Sequence, residues 1–80
     1  MPAGVEELLV HLARGLVEKK DDVRVERIER DDTVVFELRV AEEDLGKVIG
    51  RGGRIVRSLR ILVRASGAKA GERRMLEIVG

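Results

Sequence analysis

Apolar residues recur near the start of the chain with the spacing of one helix face. The residues at i, i+3, i+4, i+7 and i+11 are all aliphatic, and they are Val5, Leu8, Leu9, Leu12 and Leu16. This period predicts an amphipathic helix with that face toward the core. Glu6 and Glu7 lie near the positive end of its dipole, and Lys19 and Lys20 near the negative end.

The middle of the chain alternates apolar and polar residues, which predicts two strands. In residues 23–30 the alternation slips at Arg27 and Ile28, so a bulge or a frayed edge is expected there. Asp31 and Asp32 predict a turn. Residues 33–40 form the clearest strand, and the residues on its apolar face are Val34, Phe36, Leu38 and Val40.

Helical periodicity returns on both sides of a group of glycines at positions 50, 52 and 53. A short helix is predicted over 41–49, with acidic residues at its start and Leu45, Val48 and Ile49 on its apolar face. A second helix is predicted from about Arg54 to Ser66, followed by a loop over 67–71. A last short strand is predicted over residues 74–79, with Leu76 and Ile78 pointing toward the core.

The predicted order α-β-β-α-α-β describes an α+β fold in which helices pack on one face of a three-stranded sheet. Its 80 residues leave room for one domain, residues 1–80. The chain contains no cysteine, which excludes disulfides and cysteine-based zinc or thiol chemistry. Without a signal-peptide pattern or a long apolar run, a cytoplasmic location is expected.

A net charge of +1 conceals two oppositely charged halves. Residues 1–45 carry 7 basic and 13 acidic side chains, and residues 46–80 carry 9 basic and 2 acidic, so that −6 and +7 sum to +1. Residues 46–69 hold seven basic side chains and no acidic one. This asymmetry indicates a surface that binds a polyanion, although charge runs are also common on plain solvated surface.

The glycine-rich segment fails two phosphate-binding patterns. A P-loop requires Ser or Thr after Gly-Lys, but Val48 follows Gly46-Lys47. A dinucleotide fingerprint requires a third glycine where Ile55 stands. What remains is Gly-x-x-Gly between two helices, over residues 50–53.

Such a turn lets a nucleic-acid backbone approach the peptide, because its glycines have no Cβ. The free N–H groups of the following helix then favour phosphates, and Arg51 adds a positive charge. A plain corner between two helices is the alternative interpretation.

Residues 48–56, together with Leu59, resemble the signature of the KH (K-homology) domain, and the order of elements is similar to its type II form. The lead-in over 44–50 and the continuation over 54–60 resemble the stand-alone, KhpA-like KH proteins of bacteria. The resemblance covers essentially the whole chain. It implies binding of single-stranded RNA, four nucleotides at a time, between the glycine turn and an aliphatic groove.

The resemblance also implies a cellular role and protein partners. An RNA chaperone or post-transcriptional regulator is expected, working as a homodimer or paired with a second, KhpB-like KH-domain protein. The alternative is an adaptor of KH shape that acts mainly through dimerisation with another KH protein.

The expected RNA-binding residues surround the turn: Lys47, Val48, Ile49, Gly50, Arg51, Gly52, Gly53, Arg54 and Arg57. Ile55, Val56 and the edge of the strand carrying residues 35–38 are further candidates for the groove. Ile49 and Ile55 are each expected to lie more in the core than in an open groove. Phe36, the one aromatic residue, is expected in the core, so no aromatic stacking platform is predicted.

On the helix predicted from about Arg54 to Ser66, arginines form a stripe beside the apolar face. They are Arg54, Arg57, Arg60 and Arg64. Ile61 lies among these arginines, near Ser58 and Ala65. An apolar residue between small ones on a solvent face predicts contact with another chain through Ser58, Ile61 and Ala65. A single exposed isoleucine is also normal at protein surfaces.

Catalysis is not expected, nor is a metal or cofactor. His11 is predicted on the exposed side of the first helix, and the hydroxyl residues Thr33, Ser58 and Ser66 have no neighbouring base in sequence. The carboxylates of residues 42–44 at a helix start are a favourable dipole arrangement more often than a metal site.

Overall fold

The structure is a computed structural model that describes residues 4–80. Its helices and strands are α1 (Val5–Arg14), β1 (Arg24–Arg30), β2 (Thr33–Arg39), α2 (Leu45–Ile49), α3 (Arg54–Ala70) and β3 (Arg73–Val79). Single 3₁₀ turns occupy Lys20–Asp22, Glu42–Asp44 and Arg51–Gly53. The α+β order predicted from the sequence is confirmed. No helix within the described residues is long and apolar enough to cross a bilayer.

The three strands form one mixed sheet in the order β1-β2-β3, antiparallel between β1 and β2 and parallel between β2 and β3. The central strand carries the core: Val34, Phe36 and Leu38 are 7%, 0% and 1% exposed. Strand β2 is hydrogen-bonded to β1 along one edge and to β3 along the other, so it has no open edge. The prediction that the edge of the strand carrying residues 35–38 lines the RNA groove is therefore wrong. The edge strand of the sheet that lies beside α3 is β3.

The prediction of a bulge or a frayed edge in β1 is also wrong. Its pairing with β2 runs without interruption from Arg24 opposite Arg39 to Arg30 opposite Thr33. The sequence alternation slips because Ile28 lies opposite Val35 on the outer face of the sheet, whereas Arg27 shares the inner face with Phe36.

Arg27 is accommodated at the inner face by ion pairs. Its guanidinium lies 2.7 Å from a carboxylate oxygen of Glu72 and 2.9 Å from one of Glu29. The predicted turn at Asp31 and Asp32 is confirmed, with Asp31 at φ 48°.

Helix α1 is shorter than predicted and presents a different face to the core. It ends at Arg14 and is followed by Gly15, so Lys19 and Lys20 lie beyond it. Its buried residues are Leu9 and Ala13, and Val17 is buried just after it. Leu8, Leu12 and Leu16 are each 37% exposed. The hydrophobic pattern did not assign the small residue Ala13 to the buried face, although Ala13 is fully buried in the core.

Helix α3 is longer than predicted and continues through the expected loop over residues 67–71 to Ala70. Gly67 lies inside the helix and is buried. A Cβ on Gly67 would come 2.5 Å from the carbonyl oxygen of Glu72 and 2.9 Å from Cγ of Arg74. Gly67 therefore serves close packing between α3 and β3, and Gly71, at φ 73°, ends the helix.

Candidate nucleic-acid interface

The turn between α2 and α3 has a backbone that favours glycine at three of its four positions. Gly50, Gly52 and Gly53 have φ values of 78°, 64° and 75°. A Cβ on Gly50 would lie 2.6 Å from Cγ1 of Ile55, so this position excludes a side chain by contact as well as by backbone angle. The N–H of Gly53 donates to the carbonyl oxygen of Gly50 at 3.1 Å and closes the turn.

The two middle residues of the turn face solvent. Arg51 and Gly52 are exposed, and a Cβ on Gly52 would meet no atom within 4 Å. The residue that precedes α3, Gly53, has no side chain to cap the helix, and no side-chain cap hydrogen bond is formed there. The positive end of α3 therefore opens beside a protruding arginine, an arrangement that favours anions.

Asp44 fixes the start of α2. Its carboxylate is 1% exposed and accepts hydrogen bonds from the backbone N–H of Lys19 at 3.0 Å and of Glu18 at 3.3 Å. The bond from Lys19 is the main cause that lowers the pKa of Asp44, against the opposing effect of desolvation. Asp44 thereby ties α2, and the turn after it, to the segment that follows α1.

The acidic residues 42–44 form the 3₁₀ turn at the start of α2, where they were expected from the sequence. Asp44 makes no capping bond to α2, and Glu43 accepts a 2.7 Å bond from Nζ of Lys19. That bond is the main cause that raises the pKa of Lys19 and lowers the pKa of Glu43. Within residues 4–80, no group of three or more acidic, histidine or cysteine side chains is placed to hold a metal ion.

Among the expected RNA-binding residues, Lys47 is paired with carboxylates of this chain and Val48 is buried. Nζ of Lys47 is 3.3 Å from Asp44 and 3.8 Å from Glu18. Val48 is fully buried, with 0% exposure, and packs in the core. These two residues support the turn, whereas Ile49 beside them is 40% exposed. The expectation that Ile49 belongs to the core is therefore wrong.

Five arginines in and after the turn are left without ion pairs among residues 4–80: Arg51, Arg54, Arg57, Arg60 and Arg64. Of the seven arginines elsewhere in the described chain, all but Arg24 find a carboxylate partner; Arg74, for example, lies 2.7 Å from Glu72. The difference arises because no carboxylate is present between residues 46 and 69. This unneutralised arginine face is the strongest positive feature of the molecule.

On its β3 side, α3 borders a small cleft of about 70 Å³ lined by Arg60, Arg64, Arg74, Met75 and Leu76. Arg74 is held there by its bond to Glu72, a 3.1 Å bond to the hydroxyl of Ser66, and stacking 5.3 Å from the ring centre of Phe36. Arg74 is also the main cause that lowers the pKa of Glu72. Sequence reasoning missed Arg74 and the β3 edge, because only the parallel β2-β3 pairing brings them beside the arginines.

On its other side, α3 borders an apolar groove that faces α1. Its volume is about 560 Å³, and the lining residues are Leu12, Leu16, Arg54, Ile55, Ser58, Leu59 and Leu62. Ile55 is half-buried against the core, as expected, and Val56 is 9% exposed. Helix α3 thus separates an arginine-lined cleft from an apolar groove.

With this geometry in place, comparison with known proteins identifies the fold family. The family model for the KH domain of KhpA and KhpB matches residues 6–78. This chain belongs to the KhpA/KhpB KH-domain family. The family is one of KH domains and not of enzymes, which confirms the expectation that the chain is not an enzyme.

Curated relatives match over nearly their full length. The chain is 48% identical to the RNA-binding protein KhpA of Aquifex aeolicus, over 96% of this chain and 98% of the relative. It is 45% identical to the RNA-binding protein KhpA of Treponema pallidum, over 92% of each chain. Identity to the protein of the same name from Borreliella burgdorferi is 44%, over 91% of this chain and 89% of that relative.

In this KH domain, the residues expected to contact another chain lie on the outer surface of α3. Ser58 and Ala65 are exposed, and Ile61 is 59% exposed. The side chain of Ser58 donates to the carbonyl oxygen of Arg54 at 3.1 Å, and so it turns back on the helix. Ile61 therefore stands out between two small neighbours.

Proposed function

We propose that this chain binds single-stranded RNA at the turn over residues 50–53 and along the arginine face of α3. The observation that carries the proposal is the set of unneutralised arginines directly behind a turn whose middle residues are exposed. RNA supplies the negative charge that this surface lacks. The names of the relatives, RNA-binding protein KhpA, support the same class of ligand.

In this proposal the RNA backbone lies against the turn. The open N–H groups at the start of α3 and the guanidinium of Arg51 contact phosphates, while Arg57, Arg60 and Arg64 extend the phosphate track toward the β3 cleft. The exposed side chain of Ile49 offers an apolar surface to a base. Phe36 is fully buried and cannot stack on a base, so few bases are read and sequence selectivity is low.

Low selectivity suits an RNA chaperone or post-transcriptional regulator, which acts on many RNAs. We further propose that the working form is a homodimer, or a pair with a second KH-domain protein, that uses the exposed face of Ser58, Ile61 and Ala65. An adaptor that works through this face without RNA is the second candidate. It is favoured by the 59% exposure of Ile61.

The arginine face is tested by comparing two variants that lose the same positive charge at different places on the surface. The variant R57Q/R60Q neutralises two unpaired arginines of α3, and the control R24Q/R39Q neutralises two exposed arginines of the sheet. Because each phosphate contact adds to affinity, we expect R57Q/R60Q to bind a single-stranded RNA oligonucleotide about tenfold more weakly. The control is expected to stay within about twofold of the parent, since only overall charge changes there.

Fluorescence anisotropy at fixed salt measures both affinities. Equal losses in the two variants would mean that net charge alone attracts RNA. If the parent binds no RNA at all, the adaptor becomes the better account.

A further inference from the structure

Strand β1 forms the edge of the sheet that lies away from β3 and α3. Its pairing with β2 uses one of its edges, and in the order β1-β2-β3 no strand of residues 4–80 lies along the other. The strand is seven residues long and has no bulge, and all of its charged residues are exposed. Free N–H and C=O groups along an edge of this kind favour the addition of another strand.

The charges of β1 are complementary to the same strand read in the opposite direction. Reading outward from Ile28, the first two residues reached are Arg27 and Glu29. The next charged residues on either side are Glu26 and Arg30. In an antiparallel pair of two β1 strands centred on Ile28, each charged residue therefore lies directly opposite a residue of opposite charge.

The two faces of the sheet restrict which registers are possible. Helices cover the inner face, which carries Arg27, and the outer face carries Ile28. A two-fold axis keeps inner residues opposite inner residues only if it passes beside one residue of the strand. An axis beside Glu26 or Arg27 would place that residue opposite its own copy, with like charges in contact. An axis beside Ile28 opposes unlike charges on both faces.

The charges that such a contact requires are available in this chain. Glu26 takes part in none of the ion pairs formed among residues 4–80. Arg30 lies 4.0 Å from Glu77, at the outer limit of an ion pair. The side chain of Glu29 is 75% exposed although it accepts a bond from Arg27. Pairing with a second copy supplies Glu26 with the cation that it lacks.

A groove between α1 and β1 opens beside the same edge. Its volume is about 550 Å³, and none of its lining residues belongs to β2, so it lies on the free side of β1. Its lining includes the apolar residues Val10 and Val25 and the charged residues Glu7 and Arg14. A two-fold axis perpendicular to the sheet reverses α1 in the second copy. Glu7 of one helix then corresponds to the end of the other helix that carries Arg14, which again opposes unlike charges.

We propose that two copies of this chain join through β1, antiparallel and centred on Ile28, into one continuous sheet with three strands from each copy. This contact lies at the opposite edge of the sheet from α3, so it is separate from the α3 face described above. It depends neither on that face nor on RNA binding. Because the helices of both copies lie on the same side of the joint sheet, one long RNA can contact both arginine faces.

Disulfide formation at single introduced cysteines tests the contact and its register. The chain has no cysteine of its own, so Ile28→Cys gives it one thiol on the outer face of β1. In the proposed register the two thiols lie directly opposite each other, at a separation that a disulfide spans. Glu26→Cys is the matched control, because it places a thiol on the same face but about 13 Å along the strand from its copy.

Under mild oxidation, Ile28→Cys should form a covalent dimer at least about tenfold faster than Glu26→Cys, as read by non-reducing electrophoresis. Position 26 is the more exposed of the two, so accessibility alone would favour the control. An equal or faster rate at position 26 would overturn the register. No covalent dimer at position 28, at any protein concentration at which the chain is soluble, would overturn the contact.

Charge reversal tests the pairing of position 26 with position 30. Glu26→Arg or Arg30→Glu alone places two pairs of like charges across the axis, so we expect the β1 dimer to weaken by about tenfold. The exchange E26R/R30E restores unlike pairs and should return to within about threefold of the parent. Sedimentation equilibrium measures the dissociation constants, with Ile61→Asp present throughout to remove contact through α3. A failure of the exchange to restore association would contradict the pairing.

A mixture of the two single variants gives a sharper result. Glu26→Arg carries arginine at both positions and Arg30→Glu carries glutamate at both, so a mixed pair opposes unlike charges twice. The mixture should therefore associate more tightly than either variant alone, and the absence of a mixed dimer would contradict the proposal.

Arg73→Glu is the matched control for Arg30→Glu. Arg30 and Arg73 both lie opposite Thr33 on the outer face, but Arg73 belongs to β3. Each has a carboxylate at about the same distance, 4.0 Å for Arg30 and 3.8 Å for Arg73. Arg73→Glu should leave association within about twofold of the parent. Equal losses in the two variants would mean that net charge, and not the β1 edge, controls association.

RNA affinity separates this inference from the proposed function. E26R/R30E keeps the net charge of the parent and lies at the far edge of the sheet from α3, so it should bind a short RNA oligonucleotide within about twofold of the parent. A chain that forms the covalent dimer at position 28 but binds no RNA would overturn the proposed function only. A chain that binds RNA but does not cross-link there would overturn only the pairing of β1.

Discussion

The glycines of the turn differ in what they tolerate. Gly50 is confined by the side chain of Ile55, so any substitution there pushes on α3 itself. Gly52 faces open space, and only its φ of 64° opposes a side chain, at a cost of roughly 1 kcal/mol. Charge can therefore be introduced at Gly52 and Arg51 without disturbing the core.

At the residue scale we predict that R51D/G52D folds but loses RNA. The change removes one positive charge and adds two negative charges where phosphates are proposed to lie, which should cost a few kcal/mol of binding, or at least tenfold in affinity. Circular dichroism should remain near that of the parent, and filter binding or anisotropy measures the affinity.

A matched control carries the same charge change and the same backbone strain away from the turn. R24D/G71D places one aspartate on β1 and one at the C-terminal end of α3, where Gly71 has φ 73° and open space around it. This control should bind RNA far better than R51D/G52D. Undiminished RNA affinity in folded R51D/G52D would show that the turn is not the RNA site.

At the scale of elements, α2 depends on its surroundings. It has five residues, far fewer than an isolated helix needs. Val48 anchors it in the core, and Asp44 binds the backbone of Glu18 and Lys19. The position of the turn is therefore set by contacts with residues more than twenty positions earlier in the chain.

Asp44→Asn should destabilise the protein at neutral pH and reduce its sensitivity to acid. The pKa of Asp44 is lowered in the folded state, so the ionised form is the one that folding stabilises. Its contribution is full above the unfolded pKa of about 3.9 and is lost as pH falls through the lower folded pKa. Asparagine removes that contribution at every pH.

Urea denaturation between about pH 2 and about pH 7 measures this effect. Asp44→Asn should lower the midpoint at pH 7 and flatten the acid limb, while Glu43 and Glu72, whose pKa values are also lowered, keep part of the pH dependence. Asp21→Asn, at a fully exposed carboxylate, should change little. Identical acid limbs in Asp44→Asn and the parent would show that Asp44 does not contribute in this way.

At the scale of the whole molecule, the charges are divided between two halves of −6 and +7. The divided charge explains how a chain of net charge +1 presents a strongly basic surface. Under the proposed function, long-range attraction to RNA then depends on the arginine face more than on net charge.

We therefore expect RNA binding to weaken steeply with salt. Three to five phosphate contacts, at about 0.7 each on a single strand, predict a slope of log affinity against log salt between about −2 and about −4. Anisotropy titrations at four or more salt concentrations give the slope, and R57Q/R60Q should make it shallower by about 1.4. An affinity that does not change with salt is incompatible with phosphate contacts by the arginine face.

Much of the fold and the turn could be predicted because they depend on short-range spacing. Alternation placed Phe36 and Leu38 on one face of β2, and the spacing of Gly50 and Gly53 placed a turn between two helices. Local geometry and local sequence coincide at such positions, since each residue's neighbours in space are its neighbours in the chain.

Only the tertiary structure decided which surfaces remained open. Periodicity showed that Leu12 shares a helix face with Leu9, but the position of α3 left Leu12 partly exposed and Leu9 buried. The parallel pairing of β2 with β3 placed Arg74 beside the arginines of α3. A sequence pattern fixes which side chains point the same way, whereas the elements that cover them come from distant parts of the chain, so exposure follows from packing.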